Sequence, residues 1–417
     1  MAEVTFLQLI QRACGIDVHL KVVVATIDGA GIQRETRSFK TFTSSLNELK
    51  EWLLSNGVTH VGMESTGVYW KPVYKVLEDS IPNVWIVNAR HIKNVPGHKT
   101  DKMDSEWICK LLLAGLLKPS YIPPKEQRQL RDLTRYRNKL IQQIASEKNR
   151  MMRILEDCNI KLSSVVSNTS GTTATSLIDM LCEGKVLTLD DINSVYHGKL
   201  SASPEELLEA CTGFVEEHHI YLLQMIRKDI DQTQTLVDDL SERIKRLLSK
   251  YENVLELLRE IPGFSTKVVE DLVSEIGLDM SHFPSEKHLS SWAGLSPGNN
   301  EVRVKKSARI THGNKQVKAV ITEAAWAATR TKNTFFSERY HRIAARRGKK
   351  RALIAVGHSQ LISVYLILST GSRYHELGAQ YMQSKIEQKR KVYLSSELKK
   401  LGYNVSLTKV PQAVTLN

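Results

Sequence analysis

The chain has 417 residues, of which 41% are hydrophobic and 25% charged, a composition typical of a soluble globular protein with more than one core. The five cysteines include no C-x-x-C pair, which argues against a structural zinc site and favours a reducing compartment. Lysine and arginine number 58 against 45 acids, and the net charge of +13 indicates a polyanionic partner, either nucleic acid or an acidic membrane face.

Two segments concentrate positive charge in the second half of the chain. Residues 303–318 contain six lysines and arginines and no acid, and residues 339–351 contain seven and no acid. These blocks favour nucleic acid as the partner. The N-terminal sequence MAEVTFLQLIQRA is too short and too polar for a signal peptide. A polar G-H-S-Q stretch interrupts the apolar run 352–369, which predicts a buried helix rather than a membrane span.

In chain order, the first 120 residues predict a sheet with helices packed on it. The run A-C-G-I-D-V-H-L-K-V-V-V-A-T-I, residues 13–27, predicts a strand that leads into a D-G-A-G turn and a return strand at 32–40. Further strands are predicted at 58–64 and 84–87, and helices at 45–56 (N-cap Ser44 or Ser45), 68–79 and 100–117. A hairpin followed by alternating helices and strands is an α/β pattern.

After residue 124 the pattern is mainly helical. Residues 125–156 predict a long basic amphipathic helix, and residues 223–258 repeat apolar positions at steps of three and four. Five heptads, broken only by Thr233, predict a coiled coil within the chain or between chains. The remaining predictions are a Ser/Thr-rich loop at 163–176, short helices at 177–216, a helix at 315–330, and the basic block followed by the apolar helix.

The stretch L-R-E-I-P-G-F-S-T-K-V-V-E-D-L-V-S-E-I-G, residues 258–277, predicts two helices joined by a Pro-Gly turn. Such a turn can present backbone N–H groups at a helix N-terminus to a phosphate. The elements predict four parts. These are an α/β domain at 9–124, a basic helix with insertion and coiled coil at 125–260, a mainly α-helical domain with a helix-turn-helix-like Pro-Gly turn at 261–377, and a charged tail at 378–417.

Four acids in the first 120 residues occupy unusual positions for a basic chain. Asp17 lies within a β-branched strand, where a carboxylate is costly unless it is paired or binds a cation. Glu64 ends a strand, and Asp101 and Asp104 share one face of a predicted helix. Carboxylates that converge at one sheet edge suit Mg²⁺ or Mn²⁺, which can activate an attacking oxygen and stabilise a leaving oxygen on phosphorus. Each acid alone also fits a helix-dipole or solvated role.

Five stretches of the chain resemble one known family. G-I-D-V (residues 15–18), G-M-E-S-T-G-V-Y-W-K-P-V (62–73) and V-N-A-R-H-I-K-N-V-P-G-H-K-T-D-K-M-D (87–104) closely resemble the DEDD transposases of bacterial insertion sequences. This is the IS-one-ten family, which is related to Piv-type DNA invertases. S-S-W-A-G-L-S-P-G-N-N-E (290–301) and A-A-R-R-G-K-K-R-A-L-I-A-V-G-H-S (344–359) resemble its C-terminal transposase domain.

The resemblance implies a RuvC-like (ribonuclease H-like) N-terminal domain whose catalytic and metal-binding acids are Asp17, Glu64, Asp101 and Asp104. It also implies Mg²⁺ (or Mn²⁺), DNA recombination in the bacterial cytoplasm at the nucleoid, and a structured RNA from the element that guides target and donor choice. Because the heptads accompany two separate catalytic regions, we expect a homo-oligomer through the coiled coil, with no membrane involved.

The family pairs these acids with a C-terminal serine that attacks DNA and forms a covalent link. That serine usually follows the glutamate of the P-G-N-N-E stretch, but here Glu301 is followed by Val302. The nearest serine is Ser307, whose neighbouring cations would stabilise a phosphoryl oxyanion. Ser307 also matches a second serine of the family pattern, so a phosphate contact or a structural role is an equal alternative to nucleophile.

The basic residues predicted to bind nucleic acid lie beside the acids, on the helix at 125–156, around Ser307 and in the second basic block. They are Lys99, Arg131, Arg135, Lys305, Lys306, Arg309, Arg346, Arg347, Lys349 and Lys350. Three functions stay open: a transposase or site-specific recombinase, a RuvC-type structure-specific DNA endonuclease that uses the acids alone, and an inactive nucleic-acid-binding derivative.

Overall fold

The computed structural model describes residues 9–65, 67–88, 101–197, 200–296, 301–302, 305–306 and 313–407. The chain divides into two compact units, Met1–Pro123 and Pro124–Asn417. The first unit is α/β, and the second consists of helices and a short hairpin. The predicted divisions at 260 and 377 lie inside the second unit.

The N-terminal unit contains a mixed five-stranded sheet. Its strands are β1 (Arg12–Val18), β2 (Val22–Gly29), β3 (Ile32–Lys40), β4 (His60–Glu64) and β5 (Asn83–Val87). Their order is β3-β2-β1-β4-β5. β1 pairs antiparallel with β2 and β2 with β3, whereas β4 lies parallel to both β1 and β5.

The single strand predicted at 13–27 is two strands. The chain turns back after β1, where the His19 N–H donates a hydrogen bond to Val22 O at 2.9 Å. Asp17 therefore lies near the carboxyl end of a seven-residue strand instead of in the middle of a long one. This turn brings the antiparallel part of the sheet beside the strand that carries Asp17.

Helices cover both faces of this sheet. They are α1 (Thr43–Ser55), α2 (Trp70–Leu77) and α3 (Asp101–Leu113). Cys14 and Ile16 of β1 belong to the core that includes α1 and α2, whereas Ala13 belongs to the core that includes α3. Because successive strand side chains point to opposite faces, Asp17 lies on the α3 face.

Gly15 allows α3 to approach β1 closely. A Cβ atom at this position would lie far inside contact distance of the Ser105 carbonyl oxygen and the Cys109 backbone nitrogen. Gly62 of β4 faces the same helix, but a Cβ there would meet the side-chain ends of Leu112 and Ile108 at 3.2 and 3.3 Å. The backbone contact at Gly15 therefore sets the separation between helix and sheet.

We expect Gly15→Ala to destabilise the N-terminal unit by about 1–3 kcal/mol, because α3 must move away from β1. Gly62→Ala is the matched control and should cost less, since flexible side-chain ends can adjust. Urea unfolding followed by circular dichroism measures both free energies. Equal losses for the two variants would contradict the assigned role of Gly15.

The second unit contains thirteen helices among its described residues. They are α4 (Lys125–Asp157), α5 (Leu162–Val165), α6 (Thr172–Cys182), α7 (Leu189–Val195), α8 (Pro204–Ala210), α9 (Glu217–Leu248), α10 (Glu252–Arg259), α11 (Thr266–Ile276), α12 (Glu286–Trp292), α13 (Lys315–Thr329), α14 (Phe335–Arg347), α15 (Lys349–Thr370) and α16 (Gln380–Lys400). The hairpin strands are β6 (Glu301–Val302) and β7 (Lys305–Lys306).

α4 and α9 pack side by side in antiparallel orientation. Glu126, near the start of α4, pairs with Lys250 at 2.7 Å, and Asp157, at its end, lies 3.3 Å from His219. Of the predicted heptad positions of α9, Leu223, Ile226, Ile230 and Val237 are buried in a core shared with α4 and the short helices that join the two. Ile244 belongs to the C-terminal core, and Leu240 and Leu247 are partly exposed. An oligomer through this seam is therefore not favoured, because the seam is already used within the chain.

Three other predictions need correction. The helix expected to continue to residue 258 ends at Leu248, and a 3₁₀ turn at Ser249–Tyr251 separates it from α10. The loop expected at 163–176 includes most of α5 and the start of α6. The N-cap of α1 is Phe42, and no side-chain hydrogen bond caps that helix.

α15 is the apolar helix of the C-terminal core. By length and composition alone it is the one described helix that could cross a membrane. Seven of its residues are buried, including Gln360, whose amide donates to Pro262 O at 2.9 Å. This hydrogen bond joins α15 to the Pro-Gly turn between α10 and α11. The burial fits the predicted core helix.

Candidate active site

The strand register brings two of the predicted acids to one edge of the sheet. The parallel pairing of β1 and β4 runs to Ile16 opposite Met63. Asp17 and Glu64 are the next residue on each strand, so they lie side by side at the carboxyl ends. Met63 belongs to the core on the α1 and α2 face, so alternation places Glu64 on the α3 face, as it does Asp17.

α3 brings the third acid to the same edge. Ser105 Oγ lies 2.8 Å from Thr26 Oγ1, and Cys109 Sγ lies 3.4 Å from Ala13 O. α3 therefore runs antiparallel to β1, and its first turn lies towards the carboxyl end of that strand. Asp104, one residue before Ser105, reaches the edge that holds Asp17.

The electrostatics of Asp17 show that three carboxylates are neighbours. Burial is the largest cause that raises the pKa of Asp17, and the charges of Asp104 and Glu64 raise this pKa further. His19 opposes the rise, because its Nε2 lies 2.9 Å from Asp17 Oδ2. The Asp17 side chain is only 15% exposed. A half-buried group of like charges favours a bound cation.

The fourth predicted acid, Asp101, is the first residue of α3. Its side chain lies outside the described set, and so does the whole of Lys99. Asp101 is one helical turn before Asp104, and residues three apart share a helix face. The backbone therefore places Asp101 at the same end of α3 as Asp104.

His19 is a site residue that the sequence prediction missed. It lies two residues after Asp17, and its ring nitrogen contacts the Asp17 carboxylate while half of the side chain remains exposed. The D-x-H spacing was a usable signal, since an extended chain directs residues i and i+2 to the same side. His19 fixes the orientation of one Asp17 oxygen.

The C-terminal serine region is described only in part. Glu301 pairs with Lys306, and Val302 with Lys305, in the β6–β7 hairpin. Ser307 and Arg309 lie outside the described residues. Val302 directly follows Glu301, the glutamate that matches the family pattern, and lies in β6. Its hydrocarbon side chain cannot attack phosphorus.

The predicted basic residues of the second block lie at the junction of α14 and α15. Arg346 and Arg347 end α14, Lys349 and Lys350 begin α15, and all four are exposed. Within the described part of the chain, no acid lies within ion-pair distance of these side chains. α15 begins with lysines, although a helix N-terminus favours negatively charged groups.

Arg131 and Arg135 have intramolecular partners instead of a free surface. Arg135 forms a bidentate pair with Glu275 at 2.6 and 2.9 Å, and that glutamate is only 3% exposed. Arg131 donates to the backbone carbonyls of Ser274 and Glu275 at the end of α11. Both guanidinium groups join α4 to α11, a structural role that the sequence did not suggest. Nucleic-acid binding by these two arginines stays a prediction.

A second group of possible metal ligands lies at the start of α9. Glu216, His218 and His219 place one ligand atom each within 4.8 Å of the others. The His219 ring, however, accepts a hydrogen bond from the Glu216 N–H at 3.2 Å and contacts Asp157 through its other nitrogen. This arrangement caps α9 and uses both nitrogens of one ring, so it is explained as a helix cap.

Comparison with known proteins gives two family matches. Residues 14–160 match the family of DEDD transposases of the IS110 type, described as a transposase. Residues 255–341 match the transposase family IS116/IS110/IS902. Together the matches cover more than half of the 417 residues. No curated protein matches the chain at a significant level.

The mixed sheet with helices on both faces is compatible with a ribonuclease H-like domain, and the first match covers the strands and helix that carry the acids. The class of protein is therefore a DNA transposase or recombinase. The chain belongs to the IS110 family of insertion-sequence transposases.

Proposed function

We propose that the protein cuts and rejoins DNA strands with a divalent ion held by Asp17, Glu64, Asp101 and Asp104. The observation that supports this most is the coupling of three carboxylates at one sheet edge, where burial and like charge raise the pKa of Asp17. Such a cluster is unfavourable without a cation and becomes favourable with one.

The proposed metal ligands are carboxylate oxygens, and the described residues of the cluster include no cysteine thiolate. Such ligands fit Mg²⁺ or Mn²⁺. When bound, such an ion polarises phosphate oxygens and lowers the pKa of a coordinated water or hydroxyl. The protein residues have their own tasks in this site. Ser105 and Thr26 hold the first turn of α3, and His19 orients one Asp17 oxygen.

Ser307 is the proposed attacking hydroxyl. Its oxygen would form a bond to phosphorus as the bridging P–O bond of the DNA strand breaks, which conserves a phosphodiester for rejoining. Lys305 and Lys306 precede it in β7, and Arg309 follows in sequence. Cations there would stabilise charge on the phosphoryl oxygens.

The proposed nucleic-acid contacts are Lys99, Lys305, Lys306 and Arg309 near the reacting groups and the exposed cations at the α14–α15 junction. We further propose that an element-encoded RNA guides the choice of DNA, that the protein is cytoplasmic and nucleoid-associated, and that it acts as an oligomer. Two catalytic regions in separate units support the last of these, although the α4–α9 seam is occupied.

The test of the reaction is a recombination assay on the intact element, with protein–DNA adducts trapped under denaturing conditions. Wild type should give Mg²⁺-dependent recombination and an adduct, and Ser307→Ala should lose both, because no hydroxyl is left at that position. Ser296→Ala is the control and should retain the adduct. An adduct that survives Ser307→Ala would exclude Ser307 as the attacking group.

One observation favours a second function. Val302 occupies the position after Glu301 where the family has its serine. A RuvC-type structure-specific endonuclease needs only the acids and would cleave branched DNA with Mg²⁺ while forming no adduct. An inactive derivative would bind nucleic acid and cleave none. The adduct assay separates the recombinase from the other two functions, and Mg²⁺-dependent cleavage of a branched DNA separates the endonuclease from the inactive derivative.

A further inference from the structure

Helices α14 and α15 bring three half-buried basic side chains together. Arg339 and Arg342 are three residues apart on α14, so they share one face of the helix. His358 lies on α15, which folds back and packs against α14 after the turn at Gly348. The three side chains are intermediate between buried and exposed.

Neither arginine has an acidic or hydrogen-bonding partner among the residues that the structure describes, although the Arg339 guanidinium lies 5.8 Å from the centre of the Phe335 ring. The Nε atoms of Arg339 and Arg342 are both buried and donate no hydrogen bond to any described residue. No described carboxylate lies within ion-pair distance of either guanidinium. Charged side chains removed from water are normally paired, because desolvation otherwise costs several kcal/mol in general.

The electrostatic effects within this group are mostly repulsive. Burial lowers the pKa of Arg339, and the positive charge of Arg342 lowers it further. Burial likewise lowers the pKa of His358, with Arg339 as the second cause, and Glu286 opposes this. The arrangement therefore concentrates positive charge with little internal compensation.

Two other arginines also have a buried Nε without a described hydrogen bond, but both pair with acids. Arg137 pairs with Glu270 at 2.6 Å and with Asp271 at 2.9 Å, and Arg259 pairs with Glu252 at 2.6 Å. In the N-terminal unit, Arg12 donates to the Ala30 and Asn56 carbonyl oxygens. The lack of an acidic partner thus separates Arg339 and Arg342 of α14 from Arg137 and Arg259 among the described residues.

We propose that Arg339, Arg342 and His358 form a binding site for one backbone phosphate of DNA. A guanidinium can donate two parallel N–H groups to phosphate oxygens. Only the Nε of each arginine is among the buried unpaired atoms, so the terminal nitrogens are accessible to a ligand. The site continues along the same helix to the exposed Arg346, which lies four residues after Arg342. The strand would therefore follow α14 towards the basic junction. This inference rests on the proposed function for the identity of the strand.

The test uses the full-length protein and a fluorescein-labelled DNA duplex in EDTA, so that binding is measured without cleavage. Arg339→Gln and Arg342→Gln should each weaken binding about tenfold, because a charge-assisted contact to phosphate is lost. Each should also reduce the slope of log K against log salt by about 0.9. Arg243→Gln on α9 removes the same charge from an exposed site and should change affinity less than twofold.

Thermal unfolding of the free protein distinguishes a binding site from a structural pair. Arg342→Gln is the variant for this measurement, because Arg339 also packs over the Phe335 ring. Removing one of two repelling cations should leave the melting temperature of Arg342→Gln equal to that of Arg243→Gln or above it. A lower melting temperature together with unchanged DNA affinity would overturn the proposal, because Arg342 would then have a structural role instead. DNA affinity equal to that of Arg243→Gln is enough to overturn it.

Two further arms identify the source of the phosphate. In the first arm, inorganic phosphate is added to wild type and to Arg339→Gln. If phosphate stabilises only wild type and the substitution leaves DNA binding unchanged, the site binds a free anion and the DNA proposal is overturned. A loss confined to a labelled RNA duplex would overturn it as well. Because EDTA prevents cleavage, the binding result stands apart from the recombination assay, and either can fail alone.

Discussion

Asp17→Asn is expected to reduce Mg²⁺-dependent DNA cleavage and recombination by about 10³-fold or more. Asparagine keeps the size of the side chain but removes the charge that would hold the cation. Glu64→Gln and Asp104→Asn should have effects of the same order, because their charges act on Asp17 at the same sheet edge. The measurement is the rate of strand cleavage on the intact element.

Asp79→Asn is the control for this series. Asp79 is exposed, lies in the same unit after α2, and is outside the acid cluster. It should retain wild-type cleavage, and all the acid variants should retain DNA binding in EDTA. Cleavage by Asp17→Asn at the rate of Asp79→Asn would contradict the proposed metal site.

The same substitution has a stability signature that a merely structural acid would not show. Asp17 is mostly buried near two like charges, so Asp17→Asn should melt at an equal or higher temperature than wild type without metal, by up to about 4 °C. Mg²⁺ should raise the melting temperature of wild type and have a smaller effect on the variant. An activity loss accompanied by a lower melting temperature without metal would instead indicate a folding defect.

The second large effect is expected at Arg137. Its side chain is 3% exposed and forms ion pairs with Glu270 and Asp271, both of which are buried. Arg137→Met would leave Glu270 as a buried charge without its described partner, which costs about 3–5 kcal/mol. Lys267 still pairs with Asp271 at 2.9 Å, so the loss falls mainly on Glu270.

Chemical denaturation of Arg137→Met should therefore show a large loss of unfolding free energy in the C-terminal unit. Lys139→Met, on the exposed side of the same helix, is the control and should change it by less than about 0.5 kcal/mol. Adding Glu270→Gln to Arg137→Met should recover part of the loss, because the unpaired charge is removed. Equal stabilities for the Arg137 and Lys139 variants would contradict this role of the network.

The Arg137 network also bears on the domain organisation. It joins α4 to α11 across more than 130 residues of sequence, and Leu130 of α4 lies in the core of the C-terminal helices. The predicted boundary at 260 cuts through these contacts. Composition and periodicity could not reveal them, because the pairing of distant charges depends on which helix faces meet.

The periodicity of the chain predicted most of the elements and the candidate acids. Asp17 and Glu64 could be placed at strand ends and Asp104 at a helix start, because hydrophobic alternation and helix spacing are local properties. The Pro-Gly turn between α10 and α11 was also evident. The contact of this turn with phosphate stays a prediction. α13 packs closely against the turn, because a Cβ atom on Gly263 would clash with Ala324 O.

The sequence by itself determined the family, the strand and helix periods and the excess of positive charge. Only the tertiary structure decided which charges are available for binding. Arg131 and Arg135 belong to a basic helix but donate hydrogen bonds to α11, whereas Arg339 and Arg342 have no described acidic or hydrogen-bonding partner. The physical reason is that an ion pair requires proximity in space, and contacts between helices far apart in sequence set that proximity.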